Sequence, residues 1–239
     1  MTTQTDATPP TEPTAPSDRS SSVSTTRGRR PGATPAELGI GMRFSIHPHT
    51  DAFVDVILGA LADVEEAGLA HGLVLETDEV STYVGAQEAP AEQRLADYLT
   101  AVLAAASRRS GGGHVVAHAL FSRGCPGELA CDLSVTGLPD PAPVELEATG
   151  IAAAAQWSLY PLLDGGDPDD HMTHIEEAIA AAHRRGTGAS PNHYATKLTG
   201  DVSEVVATAV DAWSQVGAHV PHVVTHLTIS VGSPSQAEG

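Results

Sequence analysis

Two segments of this chain carry the same sentence. Residues 114–127 read HVVAHALFSRGCPG and residues 222–235 read HVVTHLTISVGSPS, with seven of fourteen positions identical. A second pair, RFSIHP at 43–48 and QWSLYP at 156–161, is separated by 113 residues, and the first pair by 108. Similar offsets at both ends of a unit indicate an internal duplication, not a short solenoid repeat. The chain must therefore fold twice into the same element order.

Each copy predicts strands and helices in that order. In the first, Met42–His47 alternates as a strand and Asp51–Ala67 carries Phe53, Val54, Ile57, Leu58 and Leu61 at helical spacing. Strands are expected at Leu73–Glu76 and Glu79–Val84, a helix at Ala91–Ser107 and a last strand at His114–Ser122. The second copy gives a strand at Ala155–Tyr160, a helix at Asp169–Arg185 and a weak strand near Gly188. Strand His193–Leu198, helix Val202–Val216 and strand His222–Val231 complete it. The order βαββαβ is that of the ferredoxin-like split βαβ unit, whose antiparallel sheet carries its helices on one face. The open faces are then covered by each other or by a second chain. The expected organisation is a disordered tail over 1–38, a first unit over 39–127, a linker over 128–150 and a second unit over 151–236.

The segment 1–38 is dominated by Thr, Pro and Ser and lacks an apolar signal-peptide core, so the expected address is the cytoplasm. No apolar run reaches the length of a membrane span. The chain holds 30 acids against 12 bases, a net charge of −18. Such a surface repels phosphate backbones and anionic membranes. Aromatics are 4% of residues, so the core is expected to be aliphatic. Two cysteines, Cys125 and Cys131, make no disulfide framework.

Strand parity assigns faces. Met42, Phe44, Ile46, Trp157, Leu159, Ala117, Ala119, Phe121, Leu227 and Ile229 fall toward the helices. Arg43, Ser45 and His47 take the opposite face, as do Gln156, Ser158 and Tyr160. So do His114, His118 and Ser122, and in the other copy His222, His226, Thr228 and Ser230. The hairpin adds Glu79, Ser81 and Tyr83, against His193, Ala195 and Lys197. Thr82 and Thr196 sit in the matching hairpin blocks, although parity turns them to the helices. Polar groups on a covered face need partners, which either a ligand or the facing surface supplies.

A metal is not expected. His114 and His118, four apart on a strand, lie about 13 Å from each other, whereas a zinc takes its ligands at about 2.1 Å. His171 and His174 on one helix turn read as a solvated pair. Phosphate-loop, G-x-S-x-G and Rossmann motifs are absent from the sequence.

The ordered blocks RFSIHPHTDAFVDVILGAL, ETDEVST, HVVAHALFSRGCPG, QWSLYP, NHYATKLTGD and HVVTHLTISVGSPS resemble the YkoF family of thiamine/hydroxymethylpyrimidine-binding proteins over residues 39–236. The resemblance implies an α+β fold: tandem duplicated ferredoxin-like (ACT-like) βαββαβ units with antiparallel sheets and helices on one face. It also implies a homodimer, one vitamin site per unit without catalysis or a further cofactor, and a link to thiamine or precursor uptake through a transporter. An aminopyrimidine is flat, with donors and acceptors on its rim, and wants polar edges and apolar walls. The residues expected to meet it are Ser45, His47, Ser81, Thr82, His118 and Ser122 in the first unit. In the second they are Gln156, Ser158, Tyr160, His193, Thr196, His226 and Ser230. His47 stands where the family pattern favours Tyr, so the two sites are expected to differ in affinity. Low basicity on the open face disfavours phosphate esters. Two alternatives stay open: an enzyme acting on a pyrimidine or thiamine derivative, with Cys125 as its reactive group, and an ACT-like interaction module without a ligand.

Overall fold

A computed structural model describes residues 33–124, 142–162, 168–185, 187–220 and 222–236. Both cysteines and most of the tail and linker lie outside these residues. The order is β1 (Gly41–Pro48), α1 (Phe53–Glu66), β2 (Leu73–Thr77), β3 (Thr82–Ala86), α2 (Ala91–Arg109) and β4 (Val115–Arg123), then β5 (Ala152–Leu162), α3 (Pro168–Arg184), β6 (Gly188–Asn192), β7 (Ala195–Asp201), α4 (Val202–His219) and β8 (His222–Val231). This is βαββαβ written twice. A short 3-10 turn, Pro234–Gln236, follows.

All strands join one antiparallel eight-stranded sheet in the order β2-β3-β1-β4-β8-β5-β7-β6. The two copies do not cover each other's open faces. They lie side by side, because β4 and β8 would each be an exposed edge of a lone unit. Pairing them satisfies both edges. The register is symmetric: Ala119 lies opposite Leu227, His118 opposite Thr228, and Leu120 opposite His226. The repeat offset maps Ala119 onto Leu227 and His118 onto His226. A pseudo-twofold axis therefore pierces the sheet at the Ala119–Leu227 pair.

The helices pack along one face, with α2 against α4 bridging the units. One transverse row, Thr82–Phe44–Ala119–Leu227–Trp157–Thr196, runs beneath them. Its inner members are buried, as are Met42, Ile46, Val115, Phe121, Leu159 and Ile229. The few aromatics are spent at the joints. Phe44 meets Tyr98 edge-on at 5.9 Å, and Phe121 meets Trp213 at 5.6 Å. Trp157 Nε1 donates to the buried Thr225 Oγ1 at 2.8 Å, which in turn donates to the Ser158 carbonyl.

Three of the boundaries that differ from those read in the sequence have a visible local cause. Glu79–Ser81 are turn, because the Asp78 side chain accepts from the Val80 and Ser81 amides at 2.8 Å and delays β3 to Thr82. His193 and Tyr194 form the β6–β7 turn, with Tyr194 at φ 60°, so β7 begins at Ala195. At the tail boundary, Thr34 and Glu37 cap a turn reciprocally. That turn places Leu38 in the core, where its carbonyl accepts from Gly124 N.

The incoming second unit is clamped by one carboxylate. Asp201 N-caps α4 through Ser203 N and Oγ and also accepts from Thr149 N and Oγ1, Gly150 N and Ile151 N. Burial pushes its pKa up, but the hydrogen bonds from Ser203 and Thr149 outweigh that and hold it well below the ordinary value. A depressed carboxylate contributes stability that is present above its unfolded value near 3.8 and is lost as the pH falls through the folded one. Asp201→Ala is expected to cost about 1–2 kcal/mol at pH 7. In urea titrations the gap between variant and wild type should narrow below pH 4; a gap unchanged at pH 2 would refute this account of the clamp.

Candidate functional site

The hairpins are shorter than the strands they pair with. The β1–β3 ladder stops at Phe44–Thr82, yet β1 continues to Pro48. The β5–β7 ladder stops at Trp157–Thr196, yet β5 continues to Leu162. Beyond each stop, the hairpin-side edge of the strand has no strand paired to it among the described residues, and the unit's first helix closes over the gap. A cavity results in each unit, built from the same parts.

The first cavity, about 360 Å³, has apolar walls from Phe44, Ile46, Phe53, Ile57, Leu61 and Val80. Its polar rim is Ser45, His47, Thr77, Asp78, Glu79, Ser81 and Thr82. The second, about 230 Å³, is walled by Trp157, Leu159, Ile175 and Ile179 and rimmed by Ser158, Tyr160, Tyr194, Ala195 and Thr196. Phe44/Trp157, Ser45/Ser158, Ile46/Leu159, His47/Tyr160 and Thr82/Thr196 correspond. So do the i,i+4 helix pairs Ile57/Leu61 and Ile175/Ile179.

Several polar groups are already oriented. Ser45 Oγ lies 3.0 Å from His47 Nε2, and Thr82 Oγ1 lies 3.0 Å from Thr77 Oγ1. Ser158 Oγ donates to the Tyr194 carbonyl at 3.4 Å. Arg43 binds Asp78 and Ser81 on the first rim. Hydrogen bonds from Ser81 and Val80 amides, then Arg43, hold Asp78 below the usual carboxylate range. Burial, then the neighbouring His118 and His49, lowers the His47 pKa. Tyr194 is fully exposed in a left-handed turn conformation, rare for a bulky residue and a mark of functional sites when a turn imposes it.

The candidates from the sequence thus divide. Ser45, His47, Ser81, Thr82, Ser158, Tyr160 and Thr196 converge on the two cavities. Thr82 and Thr196 do so because their helix-ward parity points them there. His118, Ser122, Gln156, His226 and Ser230 lie on strands β4, β5 and β8 with open-face parity and line neither cavity. His193 is in the β6–β7 turn and lines neither cavity. Sequence reasoning missed Phe53, Ile57, Leu61, Val80, Ile175, Ile179 and Tyr194 as site residues, having read Phe53, Ile57 and Leu61 only for their helical spacing. Phe53 and Val80 remain 50% and 80% exposed, which a core does not permit. The signal was the matching i,i+4 pair on the first helix of each copy.

Among the described residues, no three His, Cys, Asp or Glu side chains converge as a metal site, and no helix is long and apolar enough to cross a membrane. The side chains of His171 and His174 lie outside the described residues, as does Cys125.

The profile of the YKOF-related family matches residues 152–236, the whole of the second unit from β5 onward. The chain is 30% identical over 199 residues to a Bacillus subtilis (strain 168) protein bearing the name HMP/thiamine-binding protein YkoF. That alignment spans 82% of this chain and 92% of the relative. The duplicated βαββαβ order, the matching cavities and this similarity along both units place the chain in the YkoF family.

Proposed function

We propose that the protein binds thiamine or its hydroxymethylpyrimidine moiety without transforming it, one molecule in each cavity. The observation that carries this reading is the duplication of the cavity itself. A free strand edge offers backbone donors and acceptors in line, hydroxyls from Ser45 and Thr82 or Ser158 and Thr196 flank it, and an aliphatic helix pair forms the wall. A flat aminopyrimidine needs these two kinds of surface together. The name of the Bacillus subtilis relative points to the same ligands. The protein then acts as a cytoplasmic homodimer, holding the vitamin or precursor that an uptake system delivers.

Calorimetry with thiamine and with hydroxymethylpyrimidine tests this, with two binding events per chain expected. Absence of heat and of a thermal shift at millimolar concentration of both ligands would sink it, and ligand recovered chemically altered would sink its non-enzymatic part.

The cavities are separable by filling. Leu61→Trp should abolish binding in the first unit and leave the second, and Ile179→Trp should do the reverse, so each variant titrates with half the wild-type stoichiometry. Thr82→Val and Thr196→Val should each weaken one site by about five- to tenfold, the loss of a single hydroxyl hydrogen bond. Full wild-type stoichiometry in either Trp variant would refute the assignment of one ligand to each cavity.

A further inference from the structure

Helix α1 presents two apolar stripes. Val56, Ala60 and Val64, spaced at i,i+4, are its buried residues. Phe53, Ile57 and Leu61, also spaced at i,i+4, line the first cavity. One stripe is packed into protein and the other faces the space a ligand fills. The distance between that wall and the free edge of β1 is therefore set from the packed side, where α1 lies against α2.

A forked ion pair ties these two helices. Arg109, in the last turn of α2, donates from Nε to Asp63 Oδ2 at 2.8 Å and from Nη2 to Asp63 Oδ1 at 2.6 Å. Two parallel hydrogen bonds fix direction as well as distance. Gly59, one turn before Asp63, makes room for the fork: a Cβ built there falls on the Arg109 guanidinium. Glycine inside a helix destabilises it relative to alanine, and here the guanidinium occupies the space that the missing side chain leaves. The second unit does not repeat this. The step of 118 residues from Ile57 to Ile175 also carries Leu61 onto Ile179, but it places Glu177 at the position of Gly59 and Ala181 at that of Asp63. The packed stripe is kept, since Ala60 and Val64 map onto the buried Ala178 and Ala182.

We propose that Arg109 is a positioning residue for the first cavity: by holding Asp63 across Gly59 it keeps the α1 wall at the spacing from β1 that a flat ring requires. The proposal rests on the ligand reading above and adds what sets the affinity of one of its two sites. A wall free to drift spends part of its time at other spacings. The apparent dissociation constant then rises by the reciprocal of the competent fraction. Loss of the fork leaves the buried stripe of α1 in place, so the effect falls on the wall and not on the fold.

Titration of the full chain with hydroxymethylpyrimidine tests this, because a ligand without a fixed charge does not itself feel the loss of a surface cation. Ile179→Trp isolates the first cavity and Leu61→Trp the second. In the Ile179→Trp chain, Arg109→Ala should raise the dissociation constant about two- to fivefold, the range of a partly exposed ion pair. Arg109→Lys should raise it less, since an ammonium keeps the charge but cannot form the fork. In the Leu61→Trp chain, Arg109→Ala should leave the dissociation constant unchanged.

Gly59→Ala separates positioning from stability. Alanine favours the helix, so the melting temperature should hold or rise. Its methyl group nevertheless displaces the guanidinium, the far end of a flexible side chain, so the first cavity should weaken by the same factor as with Arg109→Ala. Combining the two substitutions should weaken it no further, because both remove one interaction. An Ile179→Trp chain that binds no ligand overturns the ligand reading of the first cavity and this proposal with it. A first cavity indifferent to both Arg109→Ala and Gly59→Ala, an equal loss in both cavities, or additive losses in the double variant overturns the positioning role alone.

Discussion

The antiparallel pairing of β4 with β8 is the constraint on which the rest depends. Each strand would be the raw edge of its own unit. Joined, they fix the offset between the copies, set the pseudo-twofold axis at Ala119–Leu227 and bring α2 against α4. The same pairing commits the four helices to one face and leaves the other without a helix among the described residues. It also puts His118 beside His226, which no feature within either unit alone would do.

From this follows a division of labour between the two faces. A strand residue chooses its face by parity, so neighbours in sequence serve different purposes. Phe44 and Thr82 turn inward to one cavity, while Arg43 and Tyr83 turn outward. The polar residues of the open face therefore need not be ligand contacts. Their repetition in both copies reflects the symmetry of the β4–β8 joint as much as any shared ligand. Ser45 and His47 are the exceptions, sitting where β1 outruns its hairpin and so touching both surfaces.

The element order and the faces of the central strands were legible because they rest on period-two alternation and on a duplication that states each pattern twice. Where reading failed, the deciding contacts were not periodic. The start of β3 depends on the Asp78 side chain capping a turn, and the start of β7 on a two-residue turn that places Tyr194 at positive φ. The joining of the two units into one sheet was hidden because parity defines the face of a strand but not the neighbour across its edge. The cavities were missed for a related reason. Ile57 and Leu61 look like core in sequence, and only the early end of the hairpin ladder uncovers them.

Those two turns also explain why the cavities cannot be equivalent. In the first unit Thr77 and Thr82 are joined by four turn residues, and the turn carries Asp78 and Glu79 to the rim beside Arg43. In the second, Asn192 and Ala195 are joined by two, and a tyrosine stands at the mouth instead. At the matching strand position an imidazole faces a phenol. His47 is tied to Ser45, and burial, then the neighbouring His118 and His49, lowers its pKa, whereas the second unit offers the phenol of Tyr160 there. The first cavity thus has a rim that carries an imidazole and two carboxylates, His47, Asp78 and Glu79. The second has aromatic surface there, from Tyr160 and Tyr194. The duplication supplied two copies of one cavity, and the turn chemistry gave them different rims.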